Sequence, residues 1–317
     1  MRTILATIAI AGIVWGGTVS FDASAVNNAV QPDLAQGAKG SGVVRAQILL
    51  ARAHFSSGEI DGSFGTNLQK ALTAFQTDRK LTVSGTVDAA TWAALNADSA
   101  PALTSYTITD SDVAGPFLPI PADVKAQAKM PALGYASPQE LMGEKFHCSP
   151  QLIQALNPGV DLSKAGQELT VPNVMVMTPQ RAARVMVSKG DSSIRAYDEN
   201  GKLMAFYSAT IGSEHDPLPI GEWKIQGVAR DPKFHYNAEL FWDAKDPSDK
   251  QTLPPGPNNP VGLVWIDLSK EHYGIHGTPE PGKIGHAESH GCIRLTNWDA
   301  LELAAMVRPG TPAVFTE

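Results

Sequence analysis

His276 and Cys292 stand sixteen residues apart in the stretch HGTPEPGKIGHAESHGCIRLTN, residues 276–297. A thiol beside an imidazole makes a nucleophile near neutral pH. A free thiol ionises with a pKa of about 8.5, so only a few per cent is thiolate at pH 7. A neighbouring imidazole raises the reactive fraction. Such a sulfur attacks an amide carbonyl and leaves a thioester. Backbone N–H groups around Gly291 and Cys292 suit an oxyanion hole, and glycine lets substrate come close. His276 follows the alternating Tyr273 and Ile275, so it is expected at a strand end, reaching out of the scaffold. The loop after it is long enough to bring the thiol back to the ring.

Two other chemistries use the same residue types. The chain has two cysteines, Cys148 and Cys292, and an even number in an oxidising compartment allows a disulfide. Cys148, however, lies between two expected helices, where a thiol packs as a small hydrophobe. Zinc could draw on His276, His286, His290 and Cys292 by number, but the spacing H-x9-H-x3-H-x-C matches no common zinc pattern, and no H-E-x-x-H helix is present. The expected reading is therefore a nucleophile with no metal and no cofactor; stoichiometric metal in the purified protein would favour a zinc peptidase instead. His54, His147, His235 and His272 read as core or surface residues, and His286 as a spacer.

The elements that must position this pair belong to a chain of 317 residues, enough for two or three domains. Hydrophobic residues at 43% and charged residues at 18% suit packed globular domains. The net charge of −7 and the lack of a basic run exclude duplex nucleic acid as an expected partner. Residues 1–25 read as an export signal: Arg2 gives the positive start, Thr3 to Val19 is largely apolar, and Ala23-Ser24-Ala25 is an A-x-A cleavage site. Export to the periplasm or cell envelope is expected, with retention of the segment as an anchor as the alternative.

Residues 26–42, rich in Gly, Ala, Gln and Asn, read as a linker. Residues 43–97 show helical periodicity at Val44, Ile48 and Ala51, at Leu68, Leu72 and Phe75, and at Trp92 and Leu95, with Asp88 as an N-cap. Two turns, DGSFG at 61–65 and SGTVD at 84–88, echo each other. Residues 104–174 read strand, helix, helix, strand, with Ser137-Pro138 and Ser149-Pro150 opening the helices and a Pro- and Ala-rich insertion at about 115–134. From 182 to 317 short β-rich runs follow one another, with one helix from Asn297 to Val307. The fold class is multidomain: a small all-α N-terminal domain, a small α+β module and a mainly-β sandwich or barrel-like domain.

Three resemblances follow from these residues. DGSFG, ALTAFQ at 71–76 and SGTVDAATWAAL at 84–95 resemble the three-helix peptidoglycan-binding domain. LIQALNPGVDLSKAGQELTVPN at 152–173 resembles a LysM glycan-binding module, interrupted by the insertion. HGT at 276–278 and SHGCIRL at 289–295, with PIGEWKI at 219–225 and PNNPVGLVWIDL at 257–268, resemble the YkuD-type L,D-transpeptidase catalytic domain. One departure is Leu218 before Pro219, where Thr is usual.

The last resemblance implies roles. Cys292 would be the nucleophile and His276 the base and acid, with the Gly277 carbonyl orienting the ring. Ser289, His290 and Gly291 would shape the oxyanion pocket, and Arg294 would hold the loop or an anionic substrate group. The implied reaction cleaves the diaminopimelate–D-Ala bond of a peptidoglycan stem and passes the acyl group to an amine, giving a 3→3 cross-link. Water as acceptor would make an L,D-carboxypeptidase, and a lipoprotein amine an anchoring enzyme. Carbapenems are the implied inhibitors. A wall protein that only grips peptide or glycan is the non-catalytic alternative. The front modules would hold the enzyme at the polymer.

Overall fold

A computed structural model describes residues 21–174, 180–242, 246–287 and 291–317. The apolar start of the expected export signal lies outside them. In the N-terminal part, α1 (Ala23–Asn27), α2 (Ser41–Arg52), α3 (Thr66–Asp78) and α4 (Ala89–Leu95) surround a two-residue strand, β1 (Phe55–Ser56). Asp88 caps α4 by accepting from Thr91 N–H, as expected. The echo between the two turns has a physical basis. Gln47 of α2 accepts from Asp61 and Gly62 N–H, and Gln76 of α3 accepts from Ser84 and Gly85 N–H. Each helix thus fastens its turn with one buried amide.

Residues 26–42 are not a linker. Val26 is fully buried, Leu34 and Val87 exchange backbone hydrogen bonds, and the Trp92 indole donates to the Pro32 carbonyl. The Ala23-Ser24-Ala25 triplet begins α1. The glycines and asparagines read as flexible serve turns and caps on a packed segment.

The middle module runs β2 (Leu103–Thr107), α5 (Asp110–Val113), α6 (Val124–Gln127), α7 (Pro138–Lys145), α8 (Pro150–Leu156) and β3 (Glu168–Pro172). Strands β2 and β3 pair antiparallel, and Ser137 and Ser149 cap α7 and α8. Cys148 is buried at 1% exposure in a core with Met142, Phe146 and Leu152, and that core also takes Val44 and Ile48 from α2. The other side of α2, through Val43, Ala46, Leu49 and Leu50, fills the helical core. A helix buried nearly all round is one with packing partners on both sides.

The C-terminal part runs β4 (Arg184–Ser188), β5 (Ser193–Tyr197), β6 (Leu203–Ser208), β7 (Thr210–Ile211), β8 (Gly221–Arg230), β9 (Phe234–Asn237), β10 (Lys250–Leu253), β11 (Val264–Leu268), β12 (Gly274–His276), β13 (Ile293–Arg294), α9 (Asn297–Met306) and β14 (Pro312–Thr316). Among the described residues the strands join in the order β1-β6-β5-β4-β14-β8-β11-β12-β13-β7. Strands β6 and β7 are separated only by Ala209 yet stand second and last in that order, so the sheet bends back on itself. Alternate residues, including Val185, Ile194, Ile266, Ile275 and Ile293, fill the interior with Leu303 and Met306 of α9. The paired β9 and β10 form a hairpin that the sequence reading did not anticipate.

The sheet continues into the N-terminal part. β1 adds to β6 in parallel, Phe55 opposite Phe206, and Phe206 is buried in the helical core, which also holds Phe55 and Phe75. Below this pair, Ser56 donates to the buried Asp299 carboxylate group at 2.8 Å and His54 Nδ1 meets Glu302 at 2.5 Å. His147 of the middle module stacks on Trp298, rings 5.2 Å apart. His54 and His147, read as core or surface residues, are contacts between modules.

Phe206→Ala is expected to cost about 3–5 kcal/mol in unfolding free energy and to open the helical part to limited proteolysis; a loss below about 1 kcal/mol would mean that the two parts fold independently. Burial pushes Asp299 up to about 8, Glu144 up to about 8 and Glu59 up to about 7. Burial depresses His147 and His276 to about 4 and about 3, so above pH 6.5 only the unfolded rings hold a shrinking share of protons, fewer than the three raised carboxyls hold in the folded chain. Between pH 6.5 and 8 the folded chain therefore binds more protons than the unfolded chain, and stability falls as pH rises. The Tm should drop across that window, and Asp299→Asn should flatten the drop; an equal slope in both proteins would remove Asp299 as a cause.

Candidate active site

Strand register builds the site. β12 runs parallel to β13 with Ile275 opposite Ile293 and His276 opposite Arg294. β11 lies on the other side of β12, with Trp265 opposite His276. Alternation sends Ile266, Ile275 and Ile293 into the core and leaves Trp265, His276 and Arg294 together on the opposite face. Cys292, two residues before Arg294, shares that face and stands next to Gly274. Strand spacing and rise put the Cys292 and His276 backbones about 8 Å apart on the diagonal. The thiol and the imidazole, sixteen residues apart in the chain, are brought to one face by two short strands.

The His276 ring is 4% exposed, which corrects the expectation that it reaches out of the scaffold. It stacks on Trp265, centroids 5.4 Å apart. The indole also covers Gly274, where any Cβ would strike the ring. His276 Nδ1 lies 2.7 Å from the Gly277 carbonyl oxygen. A carbonyl can only accept, so Nδ1 carries the proton and the neutral ring keeps a bare Nε2. Burial, reinforced by the Arg294 cation and opposed by the Gly277 carbonyl, depresses the ring to about 3. It is neutral at physiological pH.

Cys292 is half-buried, and its thiol donates to the His272 carbonyl at 3.7 Å. Burial pushes the thiol up, while the Gly274 N–H and Arg294 favour the thiolate and Asp216 opposes it. The resting pair is thus neutral thiol and neutral imidazole, not the ion pair that a nearby imidazolium would create. Cys148 and Cys292 are separate thiols, so the disulfide does not form. Among the described residues no cluster of His, Cys, Asp and Glu is arranged to hold a metal ion.

Gly291 adopts φ +95, and a Cβ there would come within 2.9 Å of the Tyr273 ring. Both facts require glycine next to the thiol. Arg294 is partly buried, and its Nε has no hydrogen-bond partner among the described residues. Ser289 and His290 lie outside the described residues. His286 lines a polar cavity of about 240 Å³ with Glu59, Asp61 and Asn67 of the helical part. It is not in the Trp265, His276 and Arg294 cluster.

Sequence reasoning missed four neighbours: Trp265, Tyr273, Asp216 and Asn297. Asn297 opens α9. Its Oδ1 accepts from Leu263 N–H, and its Nδ2 donates to the Pro257 carbonyl and to Glu144 Oε1. A Cβ at Gly262 or at Gly277 would collide with that Oδ1. The available signal was the pair of glycines, but their shared partner is visible only in the fold.

Residues 182–315 match the YkuD L,D-transpeptidase catalytic domain, and residues 39–95 match a peptidoglycan binding domain. The protein named L,D-transpeptidase YkuD in Bacillus licheniformis is 33% identical over 180 residues, 56% of this chain and 92% of its own length. The chain belongs to the L,D-transpeptidase family. A further relative, L,D-transpeptidase YbiS of Escherichia coli, is 28% identical over 190 residues, 58% of this chain and 61% of its own length. The solved L,D-transpeptidase 3 of Mycobacterium tuberculosis, carrying a faropenem-derived adduct, is 17% identical over 47% of this chain and 67% of that chain, with a TM-score of 0.36.

For an L,D-transpeptidase with a neutral resting thiol, reactivity should climb with pH. Alkylation of Cys292 by iodoacetamide, followed peptide by peptide, is expected to rise past the ordinary thiol range of about 8.5 without a plateau in acid. A plateau near pH 5 to 6 would signal a resting thiolate–imidazolium pair and overturn this reading.

Proposed function

We propose that this L,D-transpeptidase works through Cys292, on peptidoglycan stem peptides, in the cell envelope. The observation that carries the reading is the Nδ1–Gly277 hydrogen bond, which leaves Nε2 of a neutral His276 on the same face as the thiol. His276 Nε2 takes the Cys292 proton as Sγ attacks the carbonyl of the diaminopimelate–D-Ala bond. The carbonyl oxygen becomes an oxyanion, held by backbone N–H groups around Gly291 and Cys292, in a pocket shaped with Ser289 and His290. Collapse breaks the C–N bond, and His276 returns the proton to the leaving D-Ala amine. A thioester remains.

The amine of a second stem then attacks the thioester, His276 accepts its proton, and the 3→3 amide forms as the thiol is restored. Water in place of the amine gives an L,D-carboxypeptidase outcome, and a lipoprotein amine an anchoring outcome. Arg294, whose buried Nε has no hydrogen-bond partner among the described residues, is assigned to a stem carboxylate. The peptidoglycan-binding match at residues 39–95 supports the polymer as substrate, and it accords with the export signal read in residues 1–25. No helix among the described residues is long and apolar enough to cross a membrane. A carbapenem offers the thiol a strained lactam carbonyl, the same kind of electrophile, and is proposed to acylate Cys292.

The test is turnover of tetrapeptide muropeptides containing diaminopimelate, with products read by mass spectrometry. Cys292→Ala should lose at least about 10³-fold in rate and should form no carbapenem adduct. His276→Ala should lose about 10²- to 10⁴-fold. Turnover surviving in Cys292→Ala would sink the thiol mechanism, and the products identify the acceptor.

A further inference from the structure

Glu140 and Glu144 sit one turn apart on α7, on one face of the middle module. Each receives a side-chain amide from the catalytic part. Asn258 Nδ2 donates to Glu140 Oε1 at 2.6 Å, and Asn297 Nδ2 donates to Glu144 Oε1 at 2.8 Å. Backbone bonds run beside them: Leu133 N–H donates to the Pro255 carbonyl, and Asn258 N–H donates to the Leu133 carbonyl, each at 2.9 Å. The sequence 254–262 is therefore fastened to the middle module at Pro255 and Asn258. It leads directly into Leu263, whose N–H goes to Asn297 Oδ1.

That oxygen occupies the space a side chain at Gly277 would need. The Gly277 carbonyl in turn holds His276 Nδ1–H. Glu144, Asn297, Gly277 and His276 thus form one unbroken run of contacts from the middle module to the imidazole. We propose that Glu144 is a positioning residue of the transferase site, which acts through the Asn297 amide to set the Gly277 carbonyl and hence the His276 ring. This rests on the reading of His276 as the base.

The chemistry of the contact asks for an acceptor, not a charge. Burial raises Glu144 to about 8, so near neutral pH its carboxyl is largely protonated and gives Asn297 an oxygen to donate to. Glutamine offers the same oxygen at the same reach. Aspartate keeps the carboxyl but is one methylene too short. Without the contact the Asn297 amide keeps the longer bonds to the Pro257 carbonyl at 3.2 Å and from Leu263 N–H at 3.1 Å but loses its shortest one, at 2.8 Å, so its grip on Gly277 loosens.

The experiment measures kcat and KM on soluble muropeptides for the full chain and for Glu144→Gln, Glu144→Asp and Glu144→Ala, with His276→Ala as reference. Thermal melting checks that each variant folds; should Glu144→Ala fail to fold, Glu144→Asp carries the test. Glu144→Asp and Glu144→Ala are expected to lose about 10- to 100-fold in kcat with KM within about twofold of the parent, and Glu144→Gln to keep kcat within about threefold. Parental kcat in Glu144→Asp beside an inactive His276→Ala would overturn the positioning role alone. Equal losses in Glu144→Gln and Glu144→Asp would also overturn it, as would a rise in KM at unchanged kcat. Turnover surviving in His276→Ala would instead overturn the base assignment beneath it.

Discussion

One primary amide holds three stretches of chain in register. Asn297, at the start of α9, donates twice and accepts once: two bonds end on the continuous stretch 257–263, at Pro257 and Leu263, and the third on the middle module. Its oxygen presses on two glycines at once. A buried amide left with unmet bonds costs about 1–3 kcal/mol, so the surrounding backbone is driven to one arrangement. The imidazole inherits its orientation from that arrangement, because the carbonyl that holds its Nδ1 proton belongs to one of those glycines. The sheet supplies coarse placement by register, and in the proposed mechanism the amide supplies the fine adjustment that proton transfer requires.

The same economy governs the modules. A domain of the size of the helical part buries only about 60% of its unfolded surface and is marginal alone. Here it does not stand alone. Helix α2 closes two cores, β1 extends the catalytic sheet, and Phe206 is lent by the catalytic part to the helical core. Buried polar contacts such as Ser56 with Asp299 then fix the angle of docking. An imidazole stacked on an indole, His147 on Trp298, does the same for the middle module.

Much of this was legible in the residues. Helical periodicity placed α2, α3 and α4, and Ser-Pro pairs marked the starts of α7 and α8, because those signals are local. The HGT and SHGC elements likewise singled out His276 and Cys292. The resting charge state was not legible: proximity alone favours an ion pair, and only burial shows that both groups stay neutral. The segment at 26–42 was misread because glycine and asparagine serve flexible chains and tight turns alike. His54 was read only as a core or surface residue, and Glu144 and Ser56 were not singled out, since their partners lie some 150 to 250 positions away in the chain. Long-range pairing leaves no periodic trace in one sequence.

The run Leu203–Ser208 followed by Thr210 and Ile211 starts against the helical part and ends against the strand that carries Arg294, beside Cys292. One continuous ribbon thus spans from the helical part, which matches a peptidoglycan binding domain, to the neighbour of Cys292. The parts cannot be exchanged like beads on a string. A chimera joined at residue 180 to a foreign wall-binding domain would present Phe206 to water and leave the outer edge of β6 bare, an open strand edge of the kind that invites aggregation. Grafting this enzyme onto another anchor therefore calls for a seam drawn in space, with Phe55, Ser56 and α2 kept on the catalytic side.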